Sequence, residues 1–90
     1  MKMITLQPVP TQSVSYMLGM VPHTATIETR LGGLYLTLWR DGEHVLHNRV
    51  LRSFAPVGFG LQMVDAEGED DPHYEGLGTR WFLLVEDGEE

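Results

Sequence analysis

The sequence contains no cysteine, so no disulfide can stabilise the fold; this absence is compatible with assembly in a reducing cytoplasm. It also lacks any cluster of basic residues. The 6 Lys and Arg residues are scattered singly among 13 Asp and Glu residues, giving a formal net charge of −7. Because nucleic acid is bound through concentrated positive charge, we expect no specific binding of DNA or RNA.

The chain has no apolar run long enough to cross a bilayer. Its first ten residues, MKMITLQPVP, reach Gln, Pro and Thr before an apolar stretch can form, so we expect neither a signal peptide nor a membrane span. Helical periodicity is missing too, because no segment of about eleven residues has apolar positions at helical spacing without an internal Gly or Pro. With 90 residues, the chain has room for one domain, which we assign to residues 1–90.

The sequence does show the alternation at every second residue that is typical of β-strands. In GLYLTLWRDGEHV, every second residue from 34 to 38 is Leu, while Tyr35, Thr37 and Trp39 point the other way. Asp41 and Gly42 then predict a type I′ hairpin turn, in which both central residues have positive φ. The return strand should run from about residue 44 to 51, with a simple but weaker alternation.

Other short strands are predicted at MITL, SVSYML, TATIETR, FGLQMV and RWFLLV, separated by turn residues roughly every ten positions. In the last of these, Trp81, Leu83 and Val85 should share one face and Phe82 and Leu84 the other. This pattern predicts an all-β domain, an antiparallel β-sandwich or small β-barrel of about six to seven short strands.

An acidic segment precedes the last strand and has two interpretations. It could be a solvated turn, which the Asp71-Pro72 pair favours, or a Ca²⁺-binding loop, since hard cations prefer several oxygen ligands close in sequence. The spacing is not that of an EF-hand, because Gly68 comes too early and strands flank the loop. The segment contains Asp65, Glu67, Glu69, Asp70, Asp71 and Glu75.

The four histidines raise the question of zinc. His44 and His47 are closest in sequence, but residues three apart on a regular strand point to opposite faces, so we expect them not to meet at one ion. His23 and His73 lie beside prolines, where exposed turns are expected. We therefore predict no metal site and no cofactor.

No catalytic motif is recognisable. The serines lack a nucleophile-elbow context, and the short GLG and GFG segments cannot cradle a phosphate, so we expect no enzymatic activity. Gly32-Gly33 is expected to turn the chain or mark a bulge. Gly58 and Gly60, which flank Phe59, are expected where a strand bends or another backbone approaches closely.

Three stretches, ITLQPVPTQSVSYML, GGLYLTLWRDGE and DDPHYEGLGTRWFLL, resemble the small baseplate plug proteins of contractile-tailed bacteriophages. The resemblance spans nearly the whole chain. It implies a compact, non-enzymatic β protein at the central hub of the baseplate, below the tail tube. It also implies several copies about the tail axis, with a trimer favoured and a hexamer possible, in contact with hub proteins and proteins near the tail tube.

Within this interpretation, two groups of residues have assigned roles. Asp41, Gly42, Asp71, Pro72, Gly76 and Gly78 should form structural turns, the glycines supplying backbone angles that other residues resist. The candidate partner-binding residues are Tyr35, Trp39, Phe59, Tyr74, Arg80, Trp81 and Phe82. The alternative is a stand-alone ligand-binding or Ca²⁺-binding β module that uses the acidic segment, residues 65–75.

Overall fold

A computed structural model describes residues 2–86 of the chain. Two four-stranded antiparallel sheets pack face to face, so the predicted all-β sandwich is confirmed, with eight strands rather than six or seven; the described residues do not close into a barrel. The strands are β1 (Lys2–Ile4), β2 (Thr11–Leu18), β3 (Val21–Arg30), β4 (Gly33–Arg40), β5 (Glu43–Val50), β6 (Pro56–Gly58), β7 (Leu61–Asp65) and β8 (Trp81–Val85).

The first sheet has the strand order β1-β8-β7-β6, and the second sheet has the order β2-β3-β4-β5. One turn of 3₁₀ helix, Tyr74–Gly76, lies between β7 and β8. Across the described residues, no helix has the length and apolar character needed to span a bilayer.

The core lies between the sheets and is built from alternate residues of their strands. From the second sheet, Leu34, Leu36 and Leu38 are buried, as the sequence alternation predicts. From the first sheet, Leu83 and Val85 of the central strand β8 are fully buried. Burial of these aliphatic side chains is the main stabilising contribution to a domain that has no disulfide.

The hairpin between β4 and β5 has the predicted turn. Asp41 and Gly42 have φ angles of 52° and 83°, so both central residues lie in the left-handed region that a type I′ turn requires. Two-residue connections also join β2 to β3 at Gly19-Met20, β3 to β4 at Leu31-Gly32, and β6 to β7 at Phe59-Gly60.

Strand β5 departs from the predicted simple alternation because it contains two β-bulges. Leu38 pairs with Leu46 and Trp39 with His44, so Val45 is an extra residue. Further along, two residues of β5 lie opposite Thr37 alone. A bulge inserts an unpaired residue and changes the face to which later side chains point. Sequence alternation cannot predict such a change.

The corner before β8 forms where predicted, but its two glycines are needed for different reasons. Gly78 has a φ of 85°, as expected. Gly76 has no positive φ, so the prediction that it supplies an unusual backbone angle is wrong. Instead, a Cβ at Gly76 would lie 2.4 Å from the Trp81 ring, and only glycine leaves room for that ring. Pro72 of the same corner is fully buried.

Candidate functional site

The outer face of the second sheet carries a row of hydroxyl side chains, with Tyr35 and Trp39 of β4 beside it. Ser13 and Thr26 on neighbouring strands have their hydroxyl oxygens 2.8 Å apart, and Ser15 and Thr24 form a longer contact of 3.4 Å. Thr37 continues this row of hydroxyls on β4, because it pairs with Thr26. An outer face of this kind is what an antiparallel sheet exposes to water.

The outer face of the first sheet is different, because most of its side chains are apolar, although Gln62 of β7 lies opposite Leu84. Leu84 of β8 lies beside Met3 of β1, and Phe82 lies beside Val64 of β7. All four are at least partly exposed, and Met3 is 58% exposed. These residues, Met3, Val64, Phe82 and Leu84, are called the apolar face below. Adjacent exposed apolar side chains on one surface are typical of a surface that binds another macromolecule.

Strand β2 provides an open sheet edge next to this face. Leu18 and Val21 flank a two-residue turn, so the backbone groups of the even-numbered residues of β2 form hydrogen bonds with β3. The hydrogen bond from the Thr29 N–H to the Pro10 carbonyl follows the same register. Ser15 and its odd-numbered neighbours therefore direct their backbone groups away from β3. Among the described residues, no strand pairs with that side of β2.

A groove of about 400 Å³ separates the edge of β2 from β1, and it is lined by residues 2–5 and 14–16. Tyr16 lies in this lining with its hydroxyl buried and without a hydrogen-bond partner among the described residues. Burial raises the pKa of Tyr16 to about 12. The Lys2 ammonium group donates to the Met17 carbonyl across the groove at 3.1 Å.

The acidic segment is organised around Arg80. Its guanidinium group donates to both carboxylate oxygens of Asp65, from Nε to Oδ1 and from Nη2 to Oδ2, each at 2.8 Å. Nη2 also donates to Asp70 Oδ2 at 2.8 Å. The backbone N–H groups of Glu67 and Asp70 donate to the same Asp65 carboxylate. We call Asp65, Asp70 and Arg80 the arginine cluster.

The arginine cluster stabilises the corner before β8. The guanidinium carbon lies 4.5 Å from the centre of the Trp81 ring, and the indole N–H donates to the Asp70 carbonyl at 3.1 Å. Hydrogen bonds from Arg80 hold the pKa of Asp65 well below its usual range, although burial acts in the opposite direction. The same bonds raise the pKa of Arg80. Asp65 is only 5% exposed, so the prediction of a solvated turn is wrong for this residue.

The predicted partner-binding residues are not brought together on one surface. Tyr35 and Trp39 lie on the outer face of the second sheet, and Phe82 lies on the opposite side of the sandwich in the apolar face. Phe59 is in the β6–β7 turn and is 45% exposed. Tyr74 packs partly against the core, and Trp81 is buried beside Arg80.

Three members of the apolar face, Met3, Val64 and Leu84, were not among the predicted residues. The sequence contains a signal for them, because each alternates with a core residue on its own strand. Leu84 lies between buried Leu83 and Val85, and Val64 follows buried Met63. The sequence prediction did not include them because it favoured aromatic residues over aliphatic ones.

The histidines are arranged differently from the sequence prediction. The bulge at Val45 puts His44 and His47 on the same side of β5, and His47 Nδ1 lies 3.1 Å from His44 Nε2, so the expectation that they stay apart is wrong. His23 is 3% exposed and stacks on Tyr16, so the expected exposed turn is also wrong. His73 is exposed, as expected. Among residues 2–86, no group of three or more His, Cys, Asp or Glu residues could hold a metal ion.

Comparison of the sequence with protein-family models and with curated proteins found no match. The resemblance to baseplate plug proteins therefore depends on the three quoted stretches alone.

Proposed function

We propose that this chain is a non-enzymatic structural subunit of a bacteriophage tail baseplate, docked at the central hub below the tail tube. In this role it helps to plug or organise the channel, in several copies about the tail axis, with threefold symmetry favoured. Its partners are hub proteins and proteins near the tail tube, and its apolar face is the surface that meets one of them.

The observation that carries this proposal is the contrast between the two outer faces of the sandwich. Ser13, Thr26 and Thr37 form a row of hydroxyls across one outer face, whereas both outward side chains of the central strand β8, Phe82 and Leu84, are apolar. Both faces belong to the same small domain, so the overall amino-acid composition of the chain cannot explain why the two faces carry different side chains. Interfaces in permanent assemblies are nearly as apolar as a protein core, and the apolar face has this composition.

The open edge of β2 supports the same function. Edge strands of soluble proteins are usually protected by charged residues, proline or bulges. Strand β2, TQSVSYML, contains no charged residue and no proline, and its pairing with β3 is regular over its whole length. Such an edge can accept an extended segment of a neighbouring protein by backbone hydrogen bonding.

Replacing Leu84 with glutamine should reduce incorporation into tails by about fivefold or more, because losing an apolar side chain at the centre of an interface costs at least about 1 kcal/mol. The matched control is Thr26→Gln, which changes an outward residue on an internal strand of the other sheet, in the row of hydroxyls. Incorporation would be measured by quantifying the protein in purified tails. Thermal unfolding of both isolated variants would check that each remains folded.

Equal incorporation of Leu84→Gln and Thr26→Gln would contradict the role of the apolar face while leaving the baseplate location open. That location has its own test. A reconstruction of tails from the virus that encodes this chain should contain its density on the tail axis at the baseplate. If purified tails contain none of the protein, the proposed function is wrong.

A further inference from the structure

We propose that His44 and His47 form a two-imidazole binding site for a divalent transition-metal ion such as Zn²⁺, Ni²⁺ or Cu²⁺. The site lies on β5, at the bulge that the sequence alternation does not predict. It is separate from the apolar face and from the arginine cluster, and it does not depend on the proposed baseplate function.

The distance between the two ring nitrogens fits a metal chelate. His47 Nδ1 and His44 Nε2 are 3.1 Å apart. Two imidazole nitrogens, each about 2.05 Å from one ion, are about 3.3 Å apart at a tetrahedral angle and about 2.9 Å apart at a right angle. The observed separation lies between these values. Both rings are on exposed residues, so they have room to rotate until both lone pairs point at one ion.

Neighbouring side chains restrict both rings before an ion arrives. The ring of His44 stacks on Trp39 with a centroid distance of 5.3 Å and an interplanar angle of 21°. His47 Nε2 lies 3.3 Å from the Asn48 side-chain nitrogen. Outer groups that fix the orientation of a histidine ligand strengthen its binding to a metal.

Asn48 can support the tautomer that a metal ion requires. Without metal, the Asn48 amide N–H donates to His47 Nε2, so the proton of His47 is on Nδ1, facing His44. To bind an ion through Nδ1, His47 must carry its proton on Nε2. Rotating the Asn48 amide by a half turn presents its oxygen to that proton. Thr37, which now donates to the Asn48 oxygen, can then accept from the amide nitrogen.

The chemistry of the ligands selects the class of ion. Imidazole nitrogens suit Zn²⁺, Cu²⁺ and Ni²⁺, whereas Ca²⁺ and Mg²⁺ prefer oxygen ligands. Two protein ligands leave the remaining coordination positions to water or to a small anion. The negative net charge of the chain further favours a cation near its surface.

Calorimetric titration of the whole chain with ZnCl₂ should give saturable binding of one ion, and titration with CaCl₂ should not reproduce it. His44→Asn and His47→Asn should each weaken Zn²⁺ binding by at least about tenfold, because each converts a chelate into a single-ligand site. The matched control is His73→Asn, which removes another exposed histidine and should leave the affinity unchanged. Circular dichroism would confirm that the variants are folded.

A second measurement uses the unchanged chain and does not depend on the folding of any variant. In proton NMR spectra, Zn²⁺ should shift the imidazole signals of two of the four histidines. The proposal is overturned if Zn²⁺ does not bind, if binding persists in both His44→Asn and His47→Asn, or if the shifted signals belong to His23 or His73.

Discussion

Replacing Gly78 with alanine should lower the free energy of unfolding by about 3 kcal/mol or more, whereas the same change at Gly42 should cost only about 1 kcal/mol. The two glycines have nearly the same positive φ, 85° at Gly78 and 83° at Gly42. An alanine at either position therefore has an unfavourable positive φ. The difference between the two variants isolates the effect of the surrounding atoms.

Those surroundings differ strongly. A Cβ at Gly78 would lie 2.6 Å from the carbonyl oxygen of Leu6, while a Cβ at Gly42 would have no heavy atom within 4 Å. The Leu6 carbonyl cannot move away easily, because its side chain is buried in the core. Overpacking against a backbone atom typically costs about 1–3 kcal/mol, which adds to the conformational cost.

Chemical denaturation of the two variants and the original chain would measure both costs. In a domain of this size, the loss at Gly78 corresponds to a fall in melting temperature of more than about 10 °C. If Gly78→Ala and Gly42→Ala are equally stable, the contact between the corner and the β1–β2 connection does not constrain the fold as described here.

The strands and the β4–β5 turn could be predicted from the sequence because they depend on local chemistry. Alternating apolar residues in β4 identify its buried face, and Asp41-Gly42 has the backbone preferences of its turn. The short strand β6 was missed, because Pro56–Gly58 is too brief to show alternation. The β5 bulges were missed because a bulge is defined by the pairing of two strands, not by the sequence of one.

The arginine cluster and the histidine pair could not be predicted for a related reason. Asp65 and Arg80 are fifteen positions apart, and only the pairing of β7 with β8 places them together. In the sequence, Asp65 is one of many acidic residues with nothing to distinguish it. For His44 and His47, the assumption of a regular strand predicted that the two side chains point to opposite faces, whereas the bulge puts them on the same side of β5. The apolar alternation of β8 did indicate that Leu84 lies on the outer face of its sheet.

Replacing Asp65 with asparagine should cause the largest loss of stability of any single carboxylate substitution in the acidic segment. Asparagine cannot accept two charged hydrogen bonds from Arg80, and its amide nitrogen would face a donor. The guanidinium group would then lose its main partner. Its contact with the Trp81 ring, and with it the start of β8, should weaken. The matched control is Glu69→Gln, which removes an exposed carboxylate from the same segment.

The same variant should also change how stability depends on pH. The pKa of Asp65 is lower in the folded chain than the value of about 3.9 expected in the unfolded chain, so the unfolded state takes up a proton first on acidification. The contribution of Asp65 is therefore complete above about pH 5 and is progressively lost as the pH falls below that value. Urea denaturation between about pH 2 and 7 should give a steeper acid loss for the original chain than for Asp65→Asn. Parallel curves for the two proteins would mean that the Asp65 carboxylate is not the source of the acid sensitivity.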